Sequence, residues 1–266
     1  MKVQKRDGRN EEVSFDKILN RIKNISIERK SLNIDPSIIA QKVCSELYDG
    51  VSTSELDELT SQISISLYSN NLDYGELASR ILISNHHKNT EDNYINLINK
   101  LYNNKLIAKY LYDIIIQNKD IILEKLDYNK DYLFDYFGFK TLEKSYLLKI
   151  NKKVEERPQH LLMRVALCVH RDNINNALSM YDKLSDKDYI HATPTLFNAG
   201  TNREQLSSCF LLKIKEDSVK GIYKTLSDCA LISKYAGGIG ISIHEIRGRG
   251  SLIRGTNGCS NGIVPM

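Results

Sequence analysis

The chain contains 266 residues, enough for one large domain or two modest ones with cores of their own. With 41% hydrophobic and 26% charged residues, and no low-complexity tract or solenoid repeat, it is typical of a globular protein. The formal charge of +4 is too small to indicate nucleic-acid binding by itself. No apolar run approaches the roughly 18 residues of a membrane span, and the first residues lack the apolar centre of a signal peptide. We therefore expect a soluble, cytoplasmic protein.

The five cysteines are widely spread and include no C-x-x-C pair, which argues against a zinc site and against a secreted disulfide framework. No metal site is therefore predicted. Cys44, Cys168 and Cys229 lie among apolar residues in helical patterns and are interpreted as small buried hydrophobes. Cys209 differs, because it follows two serines at the start of an apolar strand. It is either core filler or a redox group. Cys259 has no assigned role.

The first ninety residues predict a hairpin followed by four helices. Asp7-Gly8 between two short extended segments is a strong hairpin signal. Helices are predicted from a cap at Ser14, from Asp35-Pro36 to Gly50, from a Ser52–Glu55 capping box, and from Asp73 to about Lys88. Cationic residues gather at the hairpin and at the end of the fourth helix. They form either a solvated charged face or a triphosphate site, and spacing alone leaves both open.

The middle of the chain carries no catalytic spacing. Residues 91–131 are predicted to be a helical connector, and a helix is predicted from Pro158. The aromatic-rich residues 132–150 are either a core plug joining two domains or a base-stacking surface, and interleaved leucines favour the plug. His160 and His170 have no partner at metal-ligand spacing and are interpreted as structural.

The last seventy residues predict a βαβ unit after a turn-rich segment that begins at residue 193. Strands are expected over 206–214 and 239–246, with a helix over 218–236 between them, and such strands run parallel. The start of that helix offers free backbone N–H groups for an anion or a ribose. The arginines and glycines of RGRGSLIRGTNG are either a phosphate-binding loop or a flexible basic surface loop.

The segments VQKRDGRNEEVSFDKI, GVSTSELD and LASRILISNHHK closely resemble the ATP-cone, the regulatory nucleotide-binding module that precedes many ribonucleotide reductases. The resemblance covers nearly all of residues 1–90 and implies a hairpin packed on four helices. Carried over position by position, it implies that ATP or dATP contacts Lys5, Arg6, Glu11, Glu12, Val13, Ser14, Phe15, Asp16, Lys17, Thr53, Asp57 and Lys88.

Four further segments resemble the large, catalytic subunit of class I ribonucleoside-diphosphate reductase: ERPQHLLMRVAL, HATPTLFNAGTNREQLSSCFLL, DCALISKYAGGIGISI and GTNGCSNGIVPM. The family fold is mixed α/β, with a helical domain before a ten-stranded α/β barrel. The resemblance implies an ATP-cone over 1–92, a helical connector and domain over 93–190, and the start of a truncated barrel over 191–266. It implies radical replacement of the ribose 2′-hydroxyl by hydrogen.

The resemblance also implies roles for individual residues. Removing a hydroxyl as water needs two electrons, which a dithiol supplies by becoming a disulfide, and Cys209 would be one member of that dithiol. Substrate would contact Thr193, Ser208 and Gly238. A separate specificity site for deoxynucleoside triphosphates, completed across a dimer interface, would use Asp217, Ser218, Val219, Lys234, Arg247, Arg254 and Gly255.

The implied partners are ribonucleoside diphosphates, a small radical-generating subunit that holds the metal, and thioredoxin or glutaredoxin as reductant. A homodimer or higher oligomer is expected, with neither nucleic acid nor membrane as partner. The chain is expected to be an inactive N-terminal portion, because the family continues beyond residue 266 to its remaining catalytic groups. The alternatives are a non-enzymatic nucleotide sensor, against which the missing C-x-x-C weighs, and an RNA-binding protein that uses its arginine-glycine loop.

Overall fold

The computed structural model describes residues 1–265. The chain forms two compact units, Met1–Tyr189 and the residues from Ile190 onward, which are described separately. The three-domain division at residues 92 and 190 stays a prediction.

A three-stranded sheet begins the first unit. Its strands are β1 (Lys2–Gln4), β2 (Asn10–Glu12) and β3 (Val51–Ser52). β1 lies between the other two, antiparallel to β2 and parallel to β3, with Val3 opposite Val51. Gly8 adopts a φ of +86° in the turn, a conformation that glycine tolerates and that side-chain-bearing residues rarely adopt. The predicted hairpin is confirmed.

Four helices follow the hairpin, as predicted: α1 (Phe15–Ile27), α2 (Pro36–Ser45), α3 (Thr53–Ser66) and α4 (Asp73–Asn89). Ser14 caps α1, and Ser52 and Glu55 form the predicted capping box on α3, with both hydrogen bonds present. Isoleucines of α1 and apolar residues of α2, α3 and α4 share one core, in which Ile22, Ile39 and Leu77 are fully buried. The predicted end of α2 at Gly50 is wrong, because the chain leaves the helix after Ser45 to reach β3.

The rest of the first unit is mainly helical. Its elements are α5 (Tyr94–Asn103), α6 (Lys109–Gln117), α7 (Lys119–Lys125), a 3₁₀ helix (Tyr128–Leu133), α8 (Tyr136–Thr141), a π-helical turn (Leu142–Tyr146), β4 (Lys149–Ile150), β5 (Lys153–Val154), α9 (Pro158–His170) and α10 (Ile174–Ser185). Phe139, Leu142 and Leu147 are buried, as a core plug requires, and the Phe139 ring packs edge-on against His86 of α4. Leu133 is exposed, so its predicted place in that core is wrong.

Buried polar groups connect α9 to the end of α4. Arg157 donates hydrogen bonds to the His87 carbonyl and to the Thr90 hydroxyl, at 3.0 and 2.9 Å. His160 is buried, its ring bonded to the Arg157 N–H and the Tyr128 hydroxyl, and burial lowers its pKa well below the usual value. His160 therefore has the structural role that the sequence indicated.

The second unit contains the predicted βαβ unit. Its elements are α11 (Thr193–Asn198), β6 (Cys209–Lys213), α12 (Val219–Lys234), β7 (Gly238–Ser242), β8 (Leu252–Ile253) and β9 (Gly258–Cys259). β6 and β7 are parallel, as expected. Both strands are shorter than predicted. The start of the turn-rich segment is in fact a short helix, because Pro194 in its first turn favours helix initiation.

The cysteines Cys168 and Cys229 are buried, as predicted, while Cys44 is only partly buried. Within residues 1–265 no helix is long and apolar enough to cross a membrane. The same residues contain no cluster of His, Cys, Asp and Glu side chains able to hold a metal ion.

Candidate functional site

A cavity of about 520 Å³ opens beneath the hairpin, between α1, the start of α3 and the end of α4. It brings together ten of the twelve side chains expected to contact a nucleotide: Lys5, Arg6, Glu11, Glu12, Val13, Ser14, Lys17, Thr53, Asp57 and Lys88. Phe15 and Asp16 do not line it, and both are exposed at the first turn of α1. We call this cavity the front cavity.

A largely buried carboxylate, that of Asp57, lies between two arginines of the front cavity. The Asp57 side chain is 10% exposed and accepts hydrogen bonds from Arg6 and Arg21, each at 3.3 Å. Arg6 also donates to Asn85 at 2.6 Å and to Asn89 at 3.0 Å on the last turns of α4. Asp57 and these amides therefore hold both guanidinium groups in fixed positions, with part of each side chain still facing solvent.

Two lysines at the rim share one carboxylate. Glu11 on β2 pairs with Lys5 at 2.9 Å and also with Lys17. Lys17 lies one turn into α1, whose N-terminal N–H groups and helix dipole favour a nearby anion. Glu11 therefore reduces the electrostatic repulsion between the ammonium groups of Lys5 and Lys17.

Among the cations that line the front cavity, Lys88 has no counterion within residues 1–265. Its ammonium makes no ion pair with any of residues 1–265, although Asp57 contributes a weaker, longer-range attraction. Loss of solvent around the side chain and the nearby Arg21 charge lower the pKa of Lys88. Protonation of Lys88 is therefore less favourable than that of a lysine in water, and a phosphate beside the ammonium would offset this effect.

The second unit places the expected redox cysteine beside two expected substrate residues. Cys209 is exposed at the first position of β6 and lies opposite Gly238 of β7. The Gly238 N–H donates to the Ser208 carbonyl at 2.7 Å. A Cβ atom at Gly238 would lie 3.1 Å from that carbonyl and 3.7 Å from the Cys209 Sγ atom. Glycine therefore keeps the backbone next to the thiol open for close approach.

Thr193 is connected to Ser208 and Cys209 only through other residues. It begins α11, a helix fastened to the segment before β6 by two side chains. Thr195 donates to the Leu206 carbonyl at 3.1 Å, and Asn198 donates to the Gln205 carbonyl at 2.8 Å. The helix is thus tied to the chain just before Ser208.

The expected specificity-site residues are only partly brought together. Asp217 forms an ion pair with Arg247, and Ser218 caps α12 through the Gly221 N–H at 3.0 Å. Val219 is exposed beside them. Lys234 lies at the far end of α12, about 22 Å away along a helix that rises 1.5 Å per residue. Arg254 and Gly255 lie in the turn between β8 and β9.

Comparison with known families gives matches in three consecutive segments. Residues 1–89 match the ATP cone domain, residues 132–204 the all-alpha domain of ribonucleotide reductase, and residues 207–266 its barrel domain. The ribonucleoside-diphosphate reductase large subunit of Arabidopsis thaliana is 51% identical over all of this chain, which covers 34% of that relative. The large chain of Cryptosporidium parvum is 52% identical with the same coverage, and the Variola virus large subunit is 50% identical with 36% of its length covered.

The chain belongs to the ribonucleotide reductase family. It spans about a third of the length of the relatives it matches. The family assignment confirms the predicted architecture, a mixed fold in which an ATP cone is followed by all-alpha and barrel domain sequence. The all-alpha and barrel matches extend the family resemblance beyond the cone, over residues 132–204 and 207–266.

The sequence reasoning missed several residues of the front cavity, among them Arg21. Arg21 lines the cavity, pairs with Asp57 and donates to the Ser84 hydroxyl at 2.9 Å. The available signal was its spacing, four residues after Lys17 and seven after Ser14, which puts all three on one face of α1.

Proposed function

We propose that this chain is part of the large subunit of a ribonucleoside-diphosphate reductase, and that its front cavity binds ATP or dATP as a regulatory ligand. The observation that carries the proposal is the convergence of six cationic side chains on one cavity within the ATP cone segment: Lys5, Arg6, Arg9, Lys17, Arg21 and Lys88. Guanidinium and ammonium groups bind phosphate oxygens through short, charge-assisted hydrogen bonds.

The charge arrangement of the front cavity suits a polyphosphate. Asp57 holds two arginines in place, and Glu11 holds two lysines, so the cations are preorganised before a ligand arrives. When a triphosphate binds, these cations would contact its oxygens directly in place of some of their ion pairs with Asp57 and Glu11. Preorganised groups lose less conformational entropy on binding, which raises affinity.

For the reductase reaction, we propose that Cys209 is one thiol of a redox pair. Reduction of a ribonucleoside diphosphate breaks the C2′–O bond, releases the hydroxyl as water and places hydrogen on the carbon. The two electrons come from two thiols that become one disulfide, so Cys209 needs a second thiol as its partner. A thioredoxin or glutaredoxin would reduce that disulfide again.

The remaining expected roles belong to the same proposal. Thr193, Ser208 and Gly238 would contact the substrate. The ion-paired Asp217 and Arg247, with Ser218 and Val219, would bind a deoxynucleoside triphosphate effector. Lys234, Arg254 and Gly255 would complete that site from a second copy of the chain, and a metal-bearing small subunit would supply the radical.

The nucleotide proposal is tested by calorimetric titration of ATP and dATP into the 266-residue chain and two variants, Lys88→Met and Lys17→Met. Each loses one charged hydrogen-bond donor to phosphate, for which we expect about 1.5–3 kcal/mol, or roughly ten- to hundredfold weaker binding. Lys42→Met is the matched control, because Lys42 is an exposed lysine of α2 outside the cavity. Equal affinity in all four proteins would reject the front cavity as the nucleotide site.

A further inference from the structure

A second cavity of about 520 Å³ shares only Arg6 and Lys88 with the front cavity. We call it the rear cavity. Its other walls come from the last turn of α4, including Asn89 and Thr90, and from Lys153 on β5. We propose that the rear cavity is a separate binding site for a small inorganic polyphosphate, of which pyrophosphate is the simplest member.

The rear cavity has an excess of positive charge. Arg6, Lys88 and Lys153 line it, against a single carboxylate, Glu143. Glu143 already has partners within the protein, because it pairs with Lys140 at 3.0 Å, a lysine that also pairs with Glu58 at 2.6 Å, and it lies 3.5 Å from the His86 ring. Burial alone would raise the pKa of Glu143, but these contacts lower it below its usual value. The carboxylate therefore stays ionised beside its partners in the protein. An entering anion therefore meets uncompensated cations.

The groups left for a ligand are two ammonium groups. Arg6 is bonded to Asp57, Asn85 and Asn89. The Asn89 and Thr90 side chains donate within the protein as well. In contrast, neither Lys88 nor Lys153 makes an ion pair with any part of the chain that the structure describes. Both line the same cavity and both are exposed to solvent, so a diffusing anion can reach them.

The shape of the lining favours an inorganic anion over a nucleotide. Val154 is the single apolar side chain among the described lining residues, and the one aromatic ring among them, the imidazole of His86, is only 3% exposed. A purine needs a flat apolar or aromatic surface on which to stack. Two lysines without such a surface suit a compact polyanion, which ammonium groups bind as point charges.

Sharing Lys88 couples the two cavities. An anion in the rear cavity draws on the same ammonium that a triphosphate in the front cavity would use, so each ligand weakens the other. With one shared exposed lysine, we expect the lower end of ordinary coupling, about fivefold in each affinity. This coupling rests on the proposed nucleotide function, whereas the rear site itself does not.

The test is calorimetric titration of pyrophosphate into the 266-residue chain and into Lys153→Met, Lys153→Arg and Lys152→Met. Lys152→Met is the matched control, because it removes the adjacent charge outside the cavity. Lys153→Met should weaken pyrophosphate binding roughly tenfold or more, the loss expected for one charged hydrogen bond, while Lys153→Arg and Lys152→Met should retain it. Saturating pyrophosphate should weaken ATP binding about fivefold, but not in Lys153→Met.

The alternatives give distinct results. Absence of pyrophosphate binding to the unmodified chain overturns the proposal. Binding that Lys153→Met leaves unchanged and Lys17→Met weakens also overturns it, because pyrophosphate would then occupy the front cavity. Lys153-dependent pyrophosphate binding in a chain that binds no ATP would overturn the nucleotide function alone and leave the rear site standing. Far-UV circular dichroism of each variant confirms that it is folded.

Discussion

Replacing Arg164 with methionine should destabilise the first unit more than any exposed charge change. Arg164 and Glu156 form an ion pair at 2.8 Å, with side chains only 1% and 2% exposed. Removing the guanidinium leaves a buried carboxylate without its partner, which costs about 3–5 kcal/mol. For a unit of 150–250 residues each kcal/mol corresponds to about 2–4 °C, so the unfolding midpoint should fall by about 6–20 °C.

The contacts of Glu156 indicate that the loss of stability in Arg164→Met should extend beyond α9. Glu156 also accepts the Leu148 N–H at 2.9 Å, and its backbone carbonyl accepts a hydrogen bond from His86 of α4 at 2.9 Å. A displaced Glu156 would therefore disturb the end of α4, which carries Lys88. Thermal unfolding followed by circular dichroism measures the midpoint directly.

Two further variants make this prediction specific. Glu156→Gln combined with Arg164→Met removes both charges, so it should recover much of the loss, since no unpaired charge stays buried. Lys109→Met removes an exposed ion pair with Asp113 and should leave the midpoint unchanged. A midpoint for Arg164→Met within 2 °C of the unmodified chain would refute the reasoning, because the observed cost would then fall well below about 3 kcal/mol.

Three other predictions concern Lys88 of the front cavity, Gly237 of the second unit and the cap of α3. The surroundings of Lys88 lower its pKa from the usual 10.5, and a bound phosphate would raise that pKa, so ATP affinity should fall as the pH rises towards 10.5. ATP binding should also be accompanied by proton uptake, which calorimetry in two buffers detects. Lys88→Met should lack this proton uptake. Gly237→Ala should destabilise the second unit by about 1–3 kcal/mol in urea unfolding, because its Cβ atom would lie 2.6 Å from Ile232 and 2.9 Å from Phe210. Ser52→Ala should cost about 1 kcal/mol of unfolding free energy by removing the cap of α3, and an unchanged urea midpoint would contradict that role.

The sequence predicted those features that neighbouring residues determine. The Asp7-Gly8 turn and the Ser52–Glu55 capping box each depend on residues within three positions of one another. Ile18, Ile22 and Ile25 recur at the period of a helix, and all three are buried in α1. In each case one backbone geometry or one helical face satisfies the local chemistry, so no tertiary information was needed.

Features that join distant segments of the chain could not be predicted from neighbouring residues. Parallel pairing of Val51 with Val3 gives β3 only two residues, too few for a periodic signal. The pairing of Arg21 with Asp57 spans 36 positions of sequence. The helix at Thr193 was misread as turn because proline and asparagine favour both structures when a helix is short. The residue set of the front cavity came from the family resemblance, since charge spacing alone left two interpretations open.

The position of β1 has a practical consequence for anyone who expresses this protein. Chain termini usually tolerate trimming or tagging, because they fray at the surface. Here Lys2–Gln4 is the middle strand of its sheet, and the Lys2 carbonyl accepts the Gly50 N–H at 2.8 Å. Deleting the first few residues would leave two unpaired strand edges and detach the hairpin that roofs the front cavity. Residues 2–4 should therefore be kept intact when the protein is expressed.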